Sequence, residues 1–150
     1  MDRTIKADNK MTLQKHDVFF MNRALELAKQ CSIAVSPNPR VGCVIVKDGM
    51  ILGEGYTQPV GGNHAEIEAL NDAIRKYQNV VGATVYVTLE PCAHFGRTPP
   101  CVDALIRAKV GKVVAAMQDP NPQVAGKGFA RLREAGIEVY QGVFEQQARE

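Results

Sequence analysis

Apolar residues fall along this chain in two alternating patterns. Residues 41–46, 84–89 and 112–117 are nearly continuous apolar, β-branched or aromatic runs, with further stretches of this kind at 50–55 and 137–141. Runs of that length predict strands, and the unbroken ones predict strands covered on both faces. Between them the apolar positions recur at helical spacing. Phe20, Ala24, Leu27 and Ala28 share one face of a helix over 18–30, with Asp17 as its cap. Ile67, Leu70 and Ile74 form the stripe of a second helix. Asn63 caps it, and Glu66 takes its third position, the spacing of a capping box. Pro100 suits the first turn of a third helix through Ala104, Leu105 and Ala108. A fourth helix, over 124–135, stops at Gly136.

Lys47-Asp48-Gly49 predicts a hairpin between the first two strands. Ser36-Pro37-Asn38-Pro39 and Asp119-Pro120-Asn121-Pro122 predict proline-locked loops. The order is therefore α-β-β-α-β-α-β-α-β. Strands separated by helices pair in parallel, the first hairpin apart. The expectation is an α/β fold: a five-stranded mixed sheet with helices on both faces, three α/β/α layers in all. A length of 150 residues suits one domain. Residues 1–15 read as a flexible leader and 16–150 as the folded unit, with no second domain after the last strand.

Composition narrows the classes. Eighteen basic against sixteen acidic residues leave a net charge of +2, without the basic excess of a nucleic-acid binder. No apolar run has the length of a signal peptide or of a membrane span. The expectation is a cytoplasmic protein with no nucleic-acid or membrane partner, whose four cysteines stay reduced. Cys31 and Cys43 lie in or beside apolar runs and read as buried small hydrophobes. Cys92 and Cys101 lie among Pro, Gly and Arg, which is loop chemistry.

The chemistry concentrates between residues 63 and 101. A catalytic zinc takes three protein ligands and keeps one open position for water, and His64, Cys92 and Cys101 supply three. Two thiolates and a neutral imidazole leave Zn²⁺ formally uncharged, still a Lewis acid able to bring the pKa of its water to around 7. Both cysteines lie near a helix start, where partial positive charge favours thiolates. Glu66, two residues from His64 at the first turn of the same helix, is placed to act as general base in a hydrolytic deamination. Zinc deaminases carry His-x-Glu followed by Pro-Cys-x-x-Cys. Here the first half is His64-Ala65-Glu66. The second half departs from that pattern, with eight residues between Cys92 and Cys101. His94, inside that insert, is an alternative ligand; the two cysteines are the favoured pair.

These residues resemble the deaminase domain of the bifunctional riboflavin-biosynthesis deaminase/reductase family. The likeness rests on Pro91-Cys92-Ala93-His94-Phe95-Gly96-Arg97-Thr98-Pro99-Pro100-Cys101, against the family's Pro-Cys-Ser-His-x-Gly-[Arg/Lys]-Thr-Pro-Pro-Cys. It extends to Asn38-Pro39-Arg40-Val41-Gly42, to His64-Ala65-Glu66 and to Asp119-Pro120-Asn121-Pro122-Gln123-Val124-Ala125-Gly126. The resemblance implies a cytidine-deaminase-like fold, a Zn²⁺ cofactor and a pyrimidine ribosyl phosphate substrate, 2,5-diamino-6-ribosylamino-4(3H)-pyrimidinone 5′-phosphate. It places substrate contacts on Asn38, His94, Arg97, Thr98, Asp119 and Asn121. It also implies a homo-oligomer, a dimer or larger, and a reductase domain or enzyme acting next. Two departures stand out. Thr57 occupies the position of a frequent family histidine in Gly55-Tyr56-Thr57, and is added to the substrate contacts. The family's NADPH-dependent domain has no counterpart here, so no nicotinamide binding is expected.

Simpler readings compete at several positions. Glu66 serves equally as a capping-box partner of Asn63, and Asp119 and Asn121 as turn residues beside prolines. Arg97, Arg131 and Arg133 fit solvated surfaces. The competing functions are a nucleoside, nucleotide or tRNA deaminase using the same zinc, and a non-catalytic zinc scaffold. A structural zinc has no use for a general base, and Glu66 therefore favours an enzyme.

Overall fold

In a computed structural model, residues 14–31, 39–59, 62–77, 79–93, 100–144 and 148 are described. The elements are α1 (Lys15–Lys29), β1 (Gly42–Lys47), β2 (Met50–Tyr56), α2 (Ala65–Tyr77), β3 (Thr84–Val87), α3 (Cys101–Arg107), β4 (Lys112–Ala115), α4 (Lys127–Glu134) and β5 (Glu138–Gln141). The order is the expected one. One five-stranded sheet runs β2-β1-β3-β4-β5. β1 is antiparallel to both β2 and β3, whereas β3, β4 and β5 are parallel. The mixed sheet is thus as expected, with a second antiparallel pair besides the hairpin.

Helices cover both faces, which is why the strands read as unbroken apolar runs. On one face Cys43, Ile45, Val85, Val87 and Val113 pack with Ala69 and Leu70 of α2, Leu105 of α3 and Phe129 and Leu132 of α4. On the other, Val44, Val46, Tyr86 and Val114 pack with Phe20, Met21, Ala24 and Leu27 of α1. Cys31 and Cys43 are buried in this framework, as expected.

Four local expectations change. Asp17 is the third residue of α1 rather than its N-cap, because α1 begins at Lys15, and it still caps the helix start: its Oδ2 accepts the N–H of the N-cap Gln14 at 3.3 Å, as in a capping box. Its carboxylate is fully buried, accepts the Tyr86 hydroxyl at 2.7 Å and pins α1 to the sheet. Most of the leader assigned to residues 1–15 lies outside the described residues; Lys15 already belongs to α1. The buried stripe of α2 is Ala65, Glu66, Ala69, Leu70 and Ala73, while Ile74 is 45% exposed. Since α2 begins at Ala65, Glu66 is its second residue, and Asn63 instead donates its side-chain amide to Glu68 at 2.9 Å.

The small-residue stripe follows from how closely α2 lies on β2. A Cβ added at Gly55 would fall 2.5 Å from Ala69 N and 2.6 Å from Ala65 O, and one at Gly53 would fall 2.4 Å from Ala69 O. Two glycines on the strand and three alanines on the helix let backbone meet backbone. This contact fixes the first turn of α2, where His64 and Glu66 stand.

Gly55→Ala is therefore expected to cost about 1–3 kcal/mol by forced overpacking. It is also expected to weaken zinc binding, because the displaced turn carries His64. Denaturant unfolding with a parallel zinc titration checks both, and unchanged zinc affinity would show that α2 is located by other contacts.

Candidate metal centre and active site

The functional side chains meet at one edge of the sheet, beyond the carboxyl end of β3. This is where open α/β sheets place ligands. The antiparallel setting of β1 brings Val41, at its start, to the same edge as Thr57, at the end of β2. His64 immediately precedes α2, Cys92 follows the bend after β3, and Cys101 is the first residue of α3.

His64 Nδ1 lies 3.2 Å from Cys101 Sγ and 3.9 Å from Cys92 Sγ, and the ligand atoms of the three residues all lie within 4.8 Å of one another. Zinc bonds of about 2.3 Å to sulfur and about 2.0 Å to nitrogen, at tetrahedral angles, require N···S pairs roughly 3.5 Å apart. The observed separations bracket that value. The donor set, two sulfurs and one imidazole nitrogen, suits zinc, so these residues fit the ion chemically as well as in size.

The cysteine pair carries the electrostatics of a thiolate site. The Cys101 N–H, at the start of α3, donates to Cys92 Sγ at 3.2 Å. The Cys101 thiol, joined by His64 and that N–H, lowers Cys92 to a pKa of about 4. The Cys92 thiolate in turn holds the Cys101 proton on, pushing Cys101 well upward. It also raises His64. Without a cation the pair keeps one negative charge. A divalent ion supplies the charge that lets both sulfurs ionise.

Glu66 is 4% exposed. Burial raises its carboxyl from an ordinary 4.5 to about 7, and the negative Cys92 adds to the effect. It lines a cavity of about 250 Å³ with Pro39, Val41, Thr57, His64, Ala65, Leu89, Glu90, Cys92 and Asp119. The cavity wall thus carries a buried carboxylate and two members of the metal-ligand triad, His64 and Cys92, with Cys101 buried behind them. That arrangement can hold a planar ring over the triad and move a proton beside it.

The other expected site residues are placed unevenly. Asn38, His94, Arg97 and Thr98 lie outside the described residues. Thr57 is buried in the cavity wall. Its hydroxyl accepts the Val41 N–H at 3.0 Å and lies 3.4 Å from Val41 O, so the backbone engages it. Asp119 lines the cavity, and its Oδ1 accepts the Asn121 N–H at 2.9 Å. Asn121 is exposed, its Oδ1 accepts the Gln123 N–H at 2.9 Å, and it stands apart from the described lining. The turn chemistry expected at Asp119 and Asn121 is thus present, and Asp119 also faces the site.

Sequence reasoning passed over Glu90. It is 5% exposed and its carboxylate accepts the backbone N–H groups of Asp119, Gly126, Gly128 and Phe129 at 2.9–3.1 Å. The available signal was a lone carboxylate ending an apolar run, directly before Pro91-Cys92.

The sequence model of the cytidine and deoxycytidylate deaminase zinc-binding region matches residues 14–117. This chain belongs to that family of zinc-dependent deaminases. Its particular likeness is to the deaminases of riboflavin biosynthesis. It is 58% identical over 134 residues to the riboflavin biosynthesis protein RibD of Escherichia coli, covering 89% of this chain and 36% of that one. It is 48% identical over 135 residues to the diaminohydroxyphosphoribosylamino-pyrimidine deaminase of Buchnera aphidicola, covering 90% of each. A solved Thermotoga maritima structure is also similar. It is described as a diaminohydroxyphosphoribosylaminopyrimidine deaminase/5-amino-6-(5-phosphoribosylamino)uracil reductase. It superposes with a TM-score of 0.84 at 48% identity, over 89% of this chain and 38% of that one. The chain thus spans about a third of the length of the RibD relatives and about nine-tenths of the Buchnera deaminase. The expected cytidine-deaminase-like fold and zinc cofactor stand on these likenesses and on the ligand triad.

The raised Glu66 carboxyl sets a pH dependence for the metal-free protein. A carboxyl whose folded pKa lies above its unfolded value costs nothing while protonated in both states. It destabilises progressively as pH rises through the folded pKa. Metal-free Glu66→Gln is therefore expected to be more stable than wild type above pH 7, by up to about 3 kcal/mol, and to lose that advantage near pH 4.5. Urea unfolding across pH checks this; an advantage independent of pH would deny the charge its role. Cys101→Ser is expected to lower bound zinc from one equivalent to a small fraction, read by metal analysis after dialysis.

Proposed function

We propose that this chain hydrolytically deaminates 2,5-diamino-6-ribosylamino-4(3H)-pyrimidinone 5′-phosphate. The products are 5-amino-6-ribosylaminouracil 5′-phosphate and ammonia, in riboflavin biosynthesis. The observation that carries the reading is the buried Glu66 carboxylate lining one cavity with His64 and Cys92, which group with Cys101 as a ligand triad. The choice of pyrimidine is supported by the 48% identity to the Buchnera deaminase over nearly the whole of both chains.

His64 and the two cysteines would hold zinc, which supplies Lewis acidity and a water of lowered pKa. Glu66 takes the proton of the attacking water as the new C–O bond forms at the amidine-like carbon that bears the 2-amino group. It passes that proton to the ring nitrogen; the proton of the added hydroxyl then moves through Glu66 to the 2-amino group, and ammonia departs as the C–N bond breaks and the C=O forms. A cation held by the triad would offset the burial that raises the Glu66 carboxyl and favour its ionised form. Asp119, which lines the cavity, offers its carboxylate to the substrate. Thr57 lines the same cavity while its hydroxyl serves Val41. Asn38, His94, Arg97, Thr98 and Asn121 complete the proposed contacts, with Arg97 providing a planar fork for the 5′-phosphate. In the same reading the domain over 16–150 works as a homo-oligomer, dimer or larger, in the cytoplasm. A reductase, as a joined domain or a separate enzyme, acts next on the product.

Zinc-loaded wild type is expected to release ammonia from the freshly prepared substrate. Glu66→Gln is expected to keep its zinc and lose about 10²–10⁴-fold in kcat. Equal ammonia release by the two would remove Glu66 from the reaction. Release from cytidine, dCMP or an adenosine-bearing tRNA stem-loop, with none from the diaminopyrimidine, would move the enzyme to the nucleotide branch.

A further inference from the structure

Glu90 stands two residues before Cys92, where β3 has ended and the chain bends toward the metal ligands. Oε1 accepts the N–H groups of Asp119 and Gly126, both at 2.9 Å, and Oε2 those of Gly128 at 2.9 Å and Phe129 at 3.1 Å. Its own N–H donates to Met117 O at 2.9 Å. A carboxylate offers about four lone-pair sites. This one lines the cavity yet has none left for a substrate atom or a proton relay.

Its bonds converge from three segments: the Asp119 loop, the turn at Gly126 and the first residues of α4. Gly128 allows this closeness, since a Cβ there would fall 2.0 Å from Pro91 O. The start of α4 therefore packs directly on the peptide between Glu90 and Cys92. Cys92 itself is held independently, by the Val102 N–H on its carbonyl at 3.1 Å and the Cys101 N–H on its sulfur. Among the described residues, Asp119 has no such second anchor on the metal wall. Its Oδ1 is turned into its own loop by Asn121, and its N–H depends on Glu90.

We propose that Glu90 is the positioning residue of this cavity: it clamps the Asp119 loop and the start of α4 to the segment carrying Cys92. Through Asp119 it sets the affinity for substrate while leaving the metal ligands in place. The kinetic consequence rests on the deaminase reading above; the clamp does not.

Glu90→Gln is the test, because it keeps the shape and turns an NH₂ toward two N–H donors. The variant is expected to bind one zinc per chain, as wild type does. Amide hydrogen exchange at one of the two pairs, Asp119 and Gly126 or Gly128 and Phe129, is expected to quicken by about 100-fold. KM for the diaminopyrimidine is expected to rise about tenfold or more, with kcat within about threefold. Glu90→Asp, too short to reach both pairs, is expected to fall between the two, and it carries the comparison if Glu90→Gln does not fold. Wild-type exchange together with wild-type KM would overturn the proposal. Loss of zinc in step with loss of activity would do the same, since it would make Glu90 a support of the metal. A wild type that releases no ammonia from this substrate would remove the deaminase reading alone, and amide exchange with zinc content would still decide the clamp.

Discussion

The backbone of α2 rests almost directly on β2, and the active-site geometry depends on that contact. Gly53 and Gly55 leave no side chain between strand and helix, and Ala65, Ala69 and Ala73 answer from the other side. Large residues at these positions would lift the first turn of α2 away from the sheet edge. His64 would then move off the two sulfurs, and Glu66 out of its buried place beside them. Packing density, rather than any single polar bond, locates the base relative to the metal.

The polar bonds act at the next level. Each of the two cysteines is set by the start of α3, one as its first residue and the other as acceptor of its first N–H. That N–H and the neighbouring thiol concentrate negative charge on Cys92. Burial at the same time resists charge on Glu66. In the metal-free site that negative potential favours protons on Cys101 and Glu66. A divalent ion held by His64, Cys92 and Cys101 would take the place of those protons and leave Glu66 free to act as a base. Glu90 contributes a further buried carboxyl group, its oxygens engaged by four backbone N–H groups.

Hydrophobic pattern alone ranks residues by size and polarity, and this misjudged α2. Ile67, Leu70 and Ile74 look like the natural stripe, yet Ile74 is 45% exposed and three alanines are buried. A close helix–strand approach selects small residues, and nothing in the helix's own sequence announces the glycines on its partner. Asp17 was read only in part for a related reason, since it does cap the start of α1 but from its third position. A carboxylate before an apolar run reads as a cap, but the Tyr86 hydroxyl that makes it a buried anchor is 69 residues away.

The sequence by itself determined the strand and helix order, the mixed sheet with helices on both faces, and the chemistry of the centre. Local spacing suffices for these, because strand runs, turn residues and the His-x-Glu and cysteine motifs are written in neighbouring positions. The tertiary structure decided which nitrogen of His64 faces the sulfurs and that the Thr57 hydroxyl serves Val41. It also decided that Asp119 faces the cavity while Asn121 turns away, and that Glu90 ties three segments together. Each of those outcomes depends on groups far apart in the chain, brought within hydrogen-bonding distance only when both faces of the sheet are packed.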